Sequence, residues 1–249
     1  MTGGVFTSPG YWVEAFARAF VAGGRVEVLG DRWVVGMGGS VGAFEEAAER
    51  LGAREVSAGD VRWVRVWSLE DLTLVSLVGG HGYVEGVVAL AASRRVKLVV
   101  GVGLCGGLSR DLDVGGLIIP YAAVREDGLT DHYVEPGYPA VAHPALATAL
   151  AGHLESRGWR PRLSIVVSRS STFTESRGWV ERMAGLRVSC VDVETSTLYT
   201  LSTLAGIKAA AALIVSDSLP RGESLLGTQR LREAQARLIT DTADFVQNS

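Results

Sequence analysis

Val96 to Gly107 reads VKLVVGVGLCGG. Its first part, Val96 to Val102, is almost unbroken apolar sequence rich in valine. That pattern belongs to a strand covered on both faces, as in a parallel sheet between layers of helix. The glycines that follow, Gly103-Leu104-Cys105-Gly106-Gly107, read as a turn at the strand's end.

The same alternation extends both ways along the chain. Upstream, Arg32 to Gly36 is a short buried strand that runs into the glycine turn Gly36-Met37-Gly38-Gly39-Ser40, and Ala43 to Leu51 is a helix with Glu45, Glu46, Glu49 and Arg50 on its wet face. A strand, glycine turn and helix can bring backbone N–H groups close to an anion, or can simply be a tight turn. Tyr11 to Phe20 and Val84 to Ala92 carry helical spacing, while Val61 to Trp67 and Leu72 to Val78 read as strands. Downstream, strands are predicted at Leu117 to Ile119, Ala122 to Val124, Leu163 to Val167, Val188 to Val193 and Ala209 to Val215. Helices are predicted at Pro144 to Arg157, Trp179 to Ala184, Thr197 to Leu204 and Leu231 to Val246. Alternating strands and helices with polar or glycine-rich turns predict an α/β fold, a mostly parallel sheet flanked by helices, and ligands beyond the carboxyl ends of its strands. With no repeat, low-complexity stretch or linker in view, residues 1–249 read as a single domain.

Composition narrows the function classes. The chain has 249 residues, 47% hydrophobic and 20% charged, with a net charge of −3. These values fit a globular protein and carry no basic footprint for nucleic acid or an anionic membrane. No apolar run approaches the roughly 18 residues of a membrane span, and no leader pattern opens the chain, so a cytoplasmic location is expected. Cys105 and Cys190 lack metal-ligand spacing and read as buried free thiols, and no metal or cofactor is expected.

Polar groups cluster just after the predicted strands: Gly38 and Gly39, Gly80 to Gly82, Arg125 to Asp127, Ser170 to Phe173, Asp192 with Glu194, and Ser216 with Asp217. Glu194 and Asp217 stand out because each is a carboxylate at the mouth of an apolar strand. Such a group can bind ligand hydroxyls or hold a raised pKa, though Ser216 or Asp217 can equally cap a following turn.

In this order the motifs resemble the nucleoside phosphorylase family across roughly residues 30 to 245. Val191-Asp192-Val193-Glu194 is similar to the family's E-M-E, and Ala209 to Asp217 to its strand ending in V-S-D. Gly101 to Gly107 resembles its G-T/S-x-G turn. Val124 to Gly128 and His132 to Ala142 resemble the uridine phosphorylase branch. Ser170-Ser171-Thr172-Phe173 looks like S-S-D-x-F, and Ser216 to Gly222 looks like the archaeal purine and methylthioadenosine enzymes.

The resemblance implies one α/β domain around a mixed, partly closed sheet. It also implies a homo-oligomer built of dimers, a hexamer in most members, and phosphorolysis of a nucleoside to base and pentose 1-phosphate. Glu194 matches the carboxylate that binds ribose hydroxyls, with charge-assisted bonds of about 1.5–3 kcal/mol each. Asp217 matches the general acid at purine N7, a role that contributes about 10²–10⁴ in rate. Phe173 matches the aromatic that stacks on the base. Ser171, Asp192, Val193 and Ser216 complete the nucleoside set, Asp192 and Val193 replacing the usual Glu and Met. Arg230 stands where an arginine supports the acid, and is otherwise an exposed helix residue. Phosphate, as co-substrate, falls to Gly38, Gly39 and Arg62, the last matching an arginine donated by a neighbouring subunit.

The phosphate half departs from the family. Ala43 and Gly101 stand where two arginines would be, and Leu104 replaces a hydroxyl that touches phosphate; leucine cannot donate. Arg125 and Arg169 are the candidate replacements. The uracil-reading Gln-x-Arg is absent, with Thr174-Glu175-Ser176-Arg177 in its place, so purine is favoured. Three readings follow: a purine-leaning phosphorylase with a remodelled phosphate site, a nucleosidase in which water replaces phosphate, and a non-catalytic nucleoside binder. For the nucleosidase, Gly42-Ala43-Phe44-Glu45-Glu46 resembles a G-A-M-E-E turn, but the catalytic glutamate would fall on Ala47, leaving Glu46 or Glu85 to stand in.

Overall fold

The computed structural model describes residues 5–6, 10–39, 41–58 and 64–249. In chain order the first half runs α1 (Gly10–Phe20), β1 (Arg32–Met37), α2 (Val41–Leu51), β2 (Arg54–Glu55), β3 (Val64–Leu69), β4 (Leu72–Leu77), α3 (His81–Ser93), β5 (Leu98–Gly107) and β6 (Leu117–Glu126). The second half runs β7 (Ala140–Val141), α4 (Pro144–Ser156), β8 (Pro161–Arg169), α5 (Arg177–Gly185), β9 (Val188–Asp192), α6 (Thr195–Leu204), β10 (Lys208–Ser218), β11 (Glu223–Ser224) and α7 (Gln229–Gln247).

The strands form one mixed sheet in the order β11-β10-β6-β8-β9-β5-β1-β4-β3-β2, with β7 on β6 and a further pairing of β10 with β5. That extra pairing closes β10, β6, β8, β9 and β5 into a ring, so the sheet is partly a barrel and partly open. Parallel pairs join β1 to β4 and β5, β5 to β10, and β8 to β6 and β9. The ring has two antiparallel seams, β10 with β6 and β5 with β9. The α/β class read from the sequence and the mixed, partly closed sheet implied by the family resemblance are what the molecule has.

Helix α6 is buried almost all round, whereas α2 covers the sheet with a narrow apolar stripe. In α2, Ala43, Phe44, Ala47 and Ala48 are buried while Glu49 and Arg50 stay wet. The helix α7 starts at Thr228, whose side chain accepts from Leu231 N at 3.3 Å. Trp33, Tyr199 and Phe44 are the bulkiest fully buried side chains, and the Tyr199 hydroxyl donates to Pro120 O at 2.7 Å.

Two elements differ from their sequence reading. Gly103 to Gly107 is no turn: β5 continues through it to pair with β10 and β9. A Cβ on Gly103 would lie 2.0 Å from Met37 O, so glycine here permits β1 and β5 to approach. The two predicted strands around Pro120 are one, β6, with a register shift between Pro120 and Ala122 that absorbs the proline. Among the described residues, no helix is long and apolar enough to cross a membrane.

Candidate active site

A cleft of about 200 Å³ opens at the carboxyl ends of β1, β5, β9 and β10, lined by Glu194, Asp217, Glu175, Leu104, Cys105 and Gly38 among others. β1, β5 and β10 run parallel and deliver their ends there together, while β9 meets the end of β5 antiparallel, Val191 opposite Gly106. The charged groups on its walls are carboxylates; no arginine, lysine or histidine lines it among the described residues.

Glu194 follows β9 at the start of α6 and is only 3% exposed. Its carboxylate joins no ion pair and takes no side-chain hydrogen bond among the described residues. Burial, and then the charge of Asp192, push its pKa up to about 8, with the Val193 backbone offsetting part. A buried acceptor that lines a cleft without a side-chain donor among the described residues suits a ligand that brings hydroxyl donors.

Asp192 is held differently. It accepts from Ser168 Oγ at 2.6 Å, from Thr195 N at 2.9 Å and from the Thr195 hydroxyl. Burial raises its pKa and these bonds pull it down. Ser168 Oγ accepts from Ser196 N at 2.8 Å, and Ser196 Oγ donates to Asp127 at 2.5 Å. Asp127 in turn accepts from Thr130 N at 2.7 Å. This buried network pins the first turn of α6, and so positions Glu194.

Asp217, near the end of β10, is half-buried. The Ser216 hydroxyl lies 2.6 Å from Asp217 Oδ1 and 3.2 Å from Cys105 O, where it donates. The cleft therefore brings Asp192, Val193, Glu194, Ser216 and Asp217 together with Gly38. Gly38 has φ +64°, and a Cβ there would lie 3.9 Å from Glu194 Oε2. Gly39 adjoins it, with a Cβ position 3.0 Å from Gln235 Nε2.

Other expected residues stand apart. Phe173 is fully exposed in the 3₁₀ turn Thr172–Thr174 at the rim, while Thr172 and Glu175 on either side line the cleft. Ser171 precedes that turn, its carbonyl accepting from Arg169 Nε at 3.3 Å. Arg230 is exposed in the first turn of α7 and joins no ion pair among the described residues. Arg62 lies outside the described residues.

The positions where phosphate-binding arginines would stand are built into the core. Ala43 is fully buried, and a Cβ on Gly101 would meet Met37 Cε at 2.5 Å and Leu198 Cδ2 at 2.8 Å. The candidate replacements are engaged elsewhere. Arg125 pairs with Asp131 and donates to Thr130 Oγ1 and Glu135 O. Arg169 pairs with Glu126 and lies over Trp179 at 4.6 Å. The nucleosidase stand-ins are also engaged, Glu46 with Arg50 and Glu85 by the Tyr133 hydroxyl. Glu175 and Leu219, which share the cleft, carry no sequence signal of their own: one sits in a polar loop, the other beyond a strand.

The fold and cleft define an α/β protein whose carboxylates meet in a cleft at the ends of its strands. The chain belongs to the phosphorylase superfamily, whose profile matches residues 34–247. It is 27% identical over 154 residues to a guanosine phosphorylase of Halorubrum lacusprofundi, covering 61% of this chain and 63% of that protein. It is 30% identical over 145 residues to a uridine phosphorylase of Thermococcus kodakarensis, covering 53% and 51%. The chain thus spans between half and two thirds of the length of these relatives. Among solved structures, it superposes with a TM-score of 0.79 at 22% identity on a purine nucleoside phosphorylase from Toxoplasma gondii in complex with immucillin-H, covering 90% and 93% of the two chains. An AMP nucleosidase from Bacteroides thetaiotaomicron gives 0.78 at 20% identity, covering 96% and 98%.

Proposed function

We propose that this chain is a nucleoside phosphorylase acting on purine nucleosides. The observation that carries the reading is Glu194, a buried carboxylate without a side-chain donor among the described residues, in one cleft with Asp217. In this reading Glu194 accepts two ribose hydroxyls and Asp217 protonates N7 as the glycosidic bond breaks. The departing base then leaves neutral, positive charge builds on the sugar and is stabilised by Glu194 in its ionised form, and a phosphate oxygen bonds to the anomeric carbon. Phe173 would close over the base from the rim, and Ser171, Ser216 and Val193 would shape its surroundings. Phosphate would bind beside Gly38 and Gly39, with Arg62 of a neighbouring copy supplying charge in a homo-oligomer. The family membership and the named relatives support phosphorolysis.

A second reading, cleavage by water or binding without cleavage, is favoured by one observation: no cation lines the described cleft, and core packing fills the two arginine positions. Base release from purine and pyrimidine nucleosides, with and without phosphate, separates the readings. Phosphate-dependent release is the expected outcome, and Asp217→Asn should then cost about 10²–10⁴ in turnover of folded protein. Release without phosphate makes the chain a nucleosidase, and no release by any nucleoside makes it a binder at most.

A further inference from the structure

The strands that end in the cleft begin at a second opening, on the opposite edge of the sheet. Arg32 starts β1, Lys208 starts β10, and Lys97 immediately precedes β5. With Arg95 they line a cavity of about 540 Å³ at the carboxyl ends of α3 and α6. Lys97 and Lys208 are the only lysines of the chain, and Lys208 N donates to Lys97 O at 3.2 Å, so the two stand side by side. Arg32 pairs with Asp71, and Lys97 with Asp31 at 2.6 Å. Arg95 and Lys208 are exposed and join no ion pair among the described residues. Each helix end contributes about half a negative charge, so four cations against two acids and two such ends leave the opening positive.

A larger cavity, of about 640 Å³, adjoins this one: Ala92, Ala205 and Gly206 line both. Its remaining wall is mostly apolar, with Phe6 and Val13 on one side and Leu90 of α3 on the other. Glu14 is its one charged residue and is exposed, and the Ser93 hydroxyl is occupied in donating to Leu90 O at 2.7 Å. Both volumes lie in the range of roughly 300–1,000 Å³ found for small-molecule sites. An apolar chamber behind a cationic mouth matches an apolar chain with an anionic head. We propose that the paired cavity binds a single-chain amphiphile with an anionic head, of which a long-chain carboxylate is the simplest: the head pairs with Arg95 and Lys208, and the chain passes Ala92 and Gly206 into the chamber. Arginine receives a carboxylate through two parallel N–H bonds, and burial of the chain supplies the affinity that exposed ion pairs alone lack. The site shares no residue with the cleft of Glu194 and Asp217, so it is independent of the chemistry there.

Calorimetric titration with butanoate, hexanoate, octanoate and decanoate, each below its micelle concentration, tests this. Affinity should rise by about two- to fourfold for each CH₂ buried, with one decanoate bound per chain and a raised Tm. Arg95→Glu combined with Lys208→Glu changes only exposed side chains, and melting confirms its folding. That variant should bind decanoate about tenfold or more weakly and should gain affinity for decyltrimethylammonium, the same chain with the opposite charge. Ala92→Phe, which fills the junction of the two cavities, should abolish the gain with chain length. Affinity that stays flat along the series, equal binding of the cationic amphiphile by the wild type, or unchanged decanoate binding in the charge variant would overturn the assignment.

Discussion

Glu194 is stored in the folded chain as a carboxyl that resists ionising. Its pKa moves from the ordinary 4.5 to about 8 through burial and the Asp192 charge. The native state therefore holds this proton more tightly than the unfolded state between those values. Its stabilising effect is complete below about pH 4.5, is lost as pH rises towards 8, and is absent above. Asp192 and Glu175 shift in the same direction, so Glu194→Gln should remove one share of the slope, seen as a flatter dependence of Tm on pH from 5 to 8. An identical slope in the variant would show that Glu194 ionises freely. A nucleoside whose hydroxyls donate to the ionised form should bind more tightly as pH rises to about 8 and no further, with proton release on binding below that point. Carboxylates at strand mouths were legible in the sequence because an acid beside an apolar run is conspicuous. Glu175 was not, since an acid in a polar loop looks like any solvated charge until the fold turns it inward.

At the scale of elements, β5 shows how glycine hides a strand. The apolar run from Val96 was readable, but Gly103, Gly106 and Gly107 read as a turn because sequence alone cannot separate a glycine needed for positive φ from one needed for close packing. Their role here is packing, against Met37 O, Leu219 and Asp217. The proline in β6 misled in the same way: Pro120 suggested a break, and a register shift absorbs it. Substitution at Gly101 follows from this packing. Gly101→Arg, which restores a family arginine on paper, drives a side chain into Met37 and Leu198. It should destabilise the fold by about 1–3 kcal/mol or more, measured by denaturant unfolding, and should not restore phosphate binding. An unchanged midpoint would mean that the floor of the cleft yields. The two positions matched to family arginines are thus closed by packing as well as by side-chain choice, Ala43 being buried and Gly101 lying against Met37 and Leu198.

For the whole molecule, charge is distributed unevenly about the cleft. Its described walls offer acids, and the candidate arginines Arg169 and Arg125 are tied to Glu126 and Asp131. An assembled homo-oligomer is where this reading looks for compensating positive charge. It would also give a partner to Phe173, which stands fully exposed at the rim. The alternation of strands and helices made the α/β class readable, but the pairing of β10 with β5 was beyond sequence reach, as it joins segments more than a hundred residues apart by backbone bonds that any side chain would permit.

That closure divides the cleft by timescale. Glu194 follows and Asp217 ends strands locked into a ring and paired on both sides, whereas Glu175 and Phe173 ride on a turn outside it. In deuterium exchange, amides of β5, β9 and β10 should label only through opening of the entire fold, and those of residues 171–176 should label early. A bound nucleoside should then slow labelling chiefly in that turn, so the molecule would receive its ligand by ordering the rim over a wall already set.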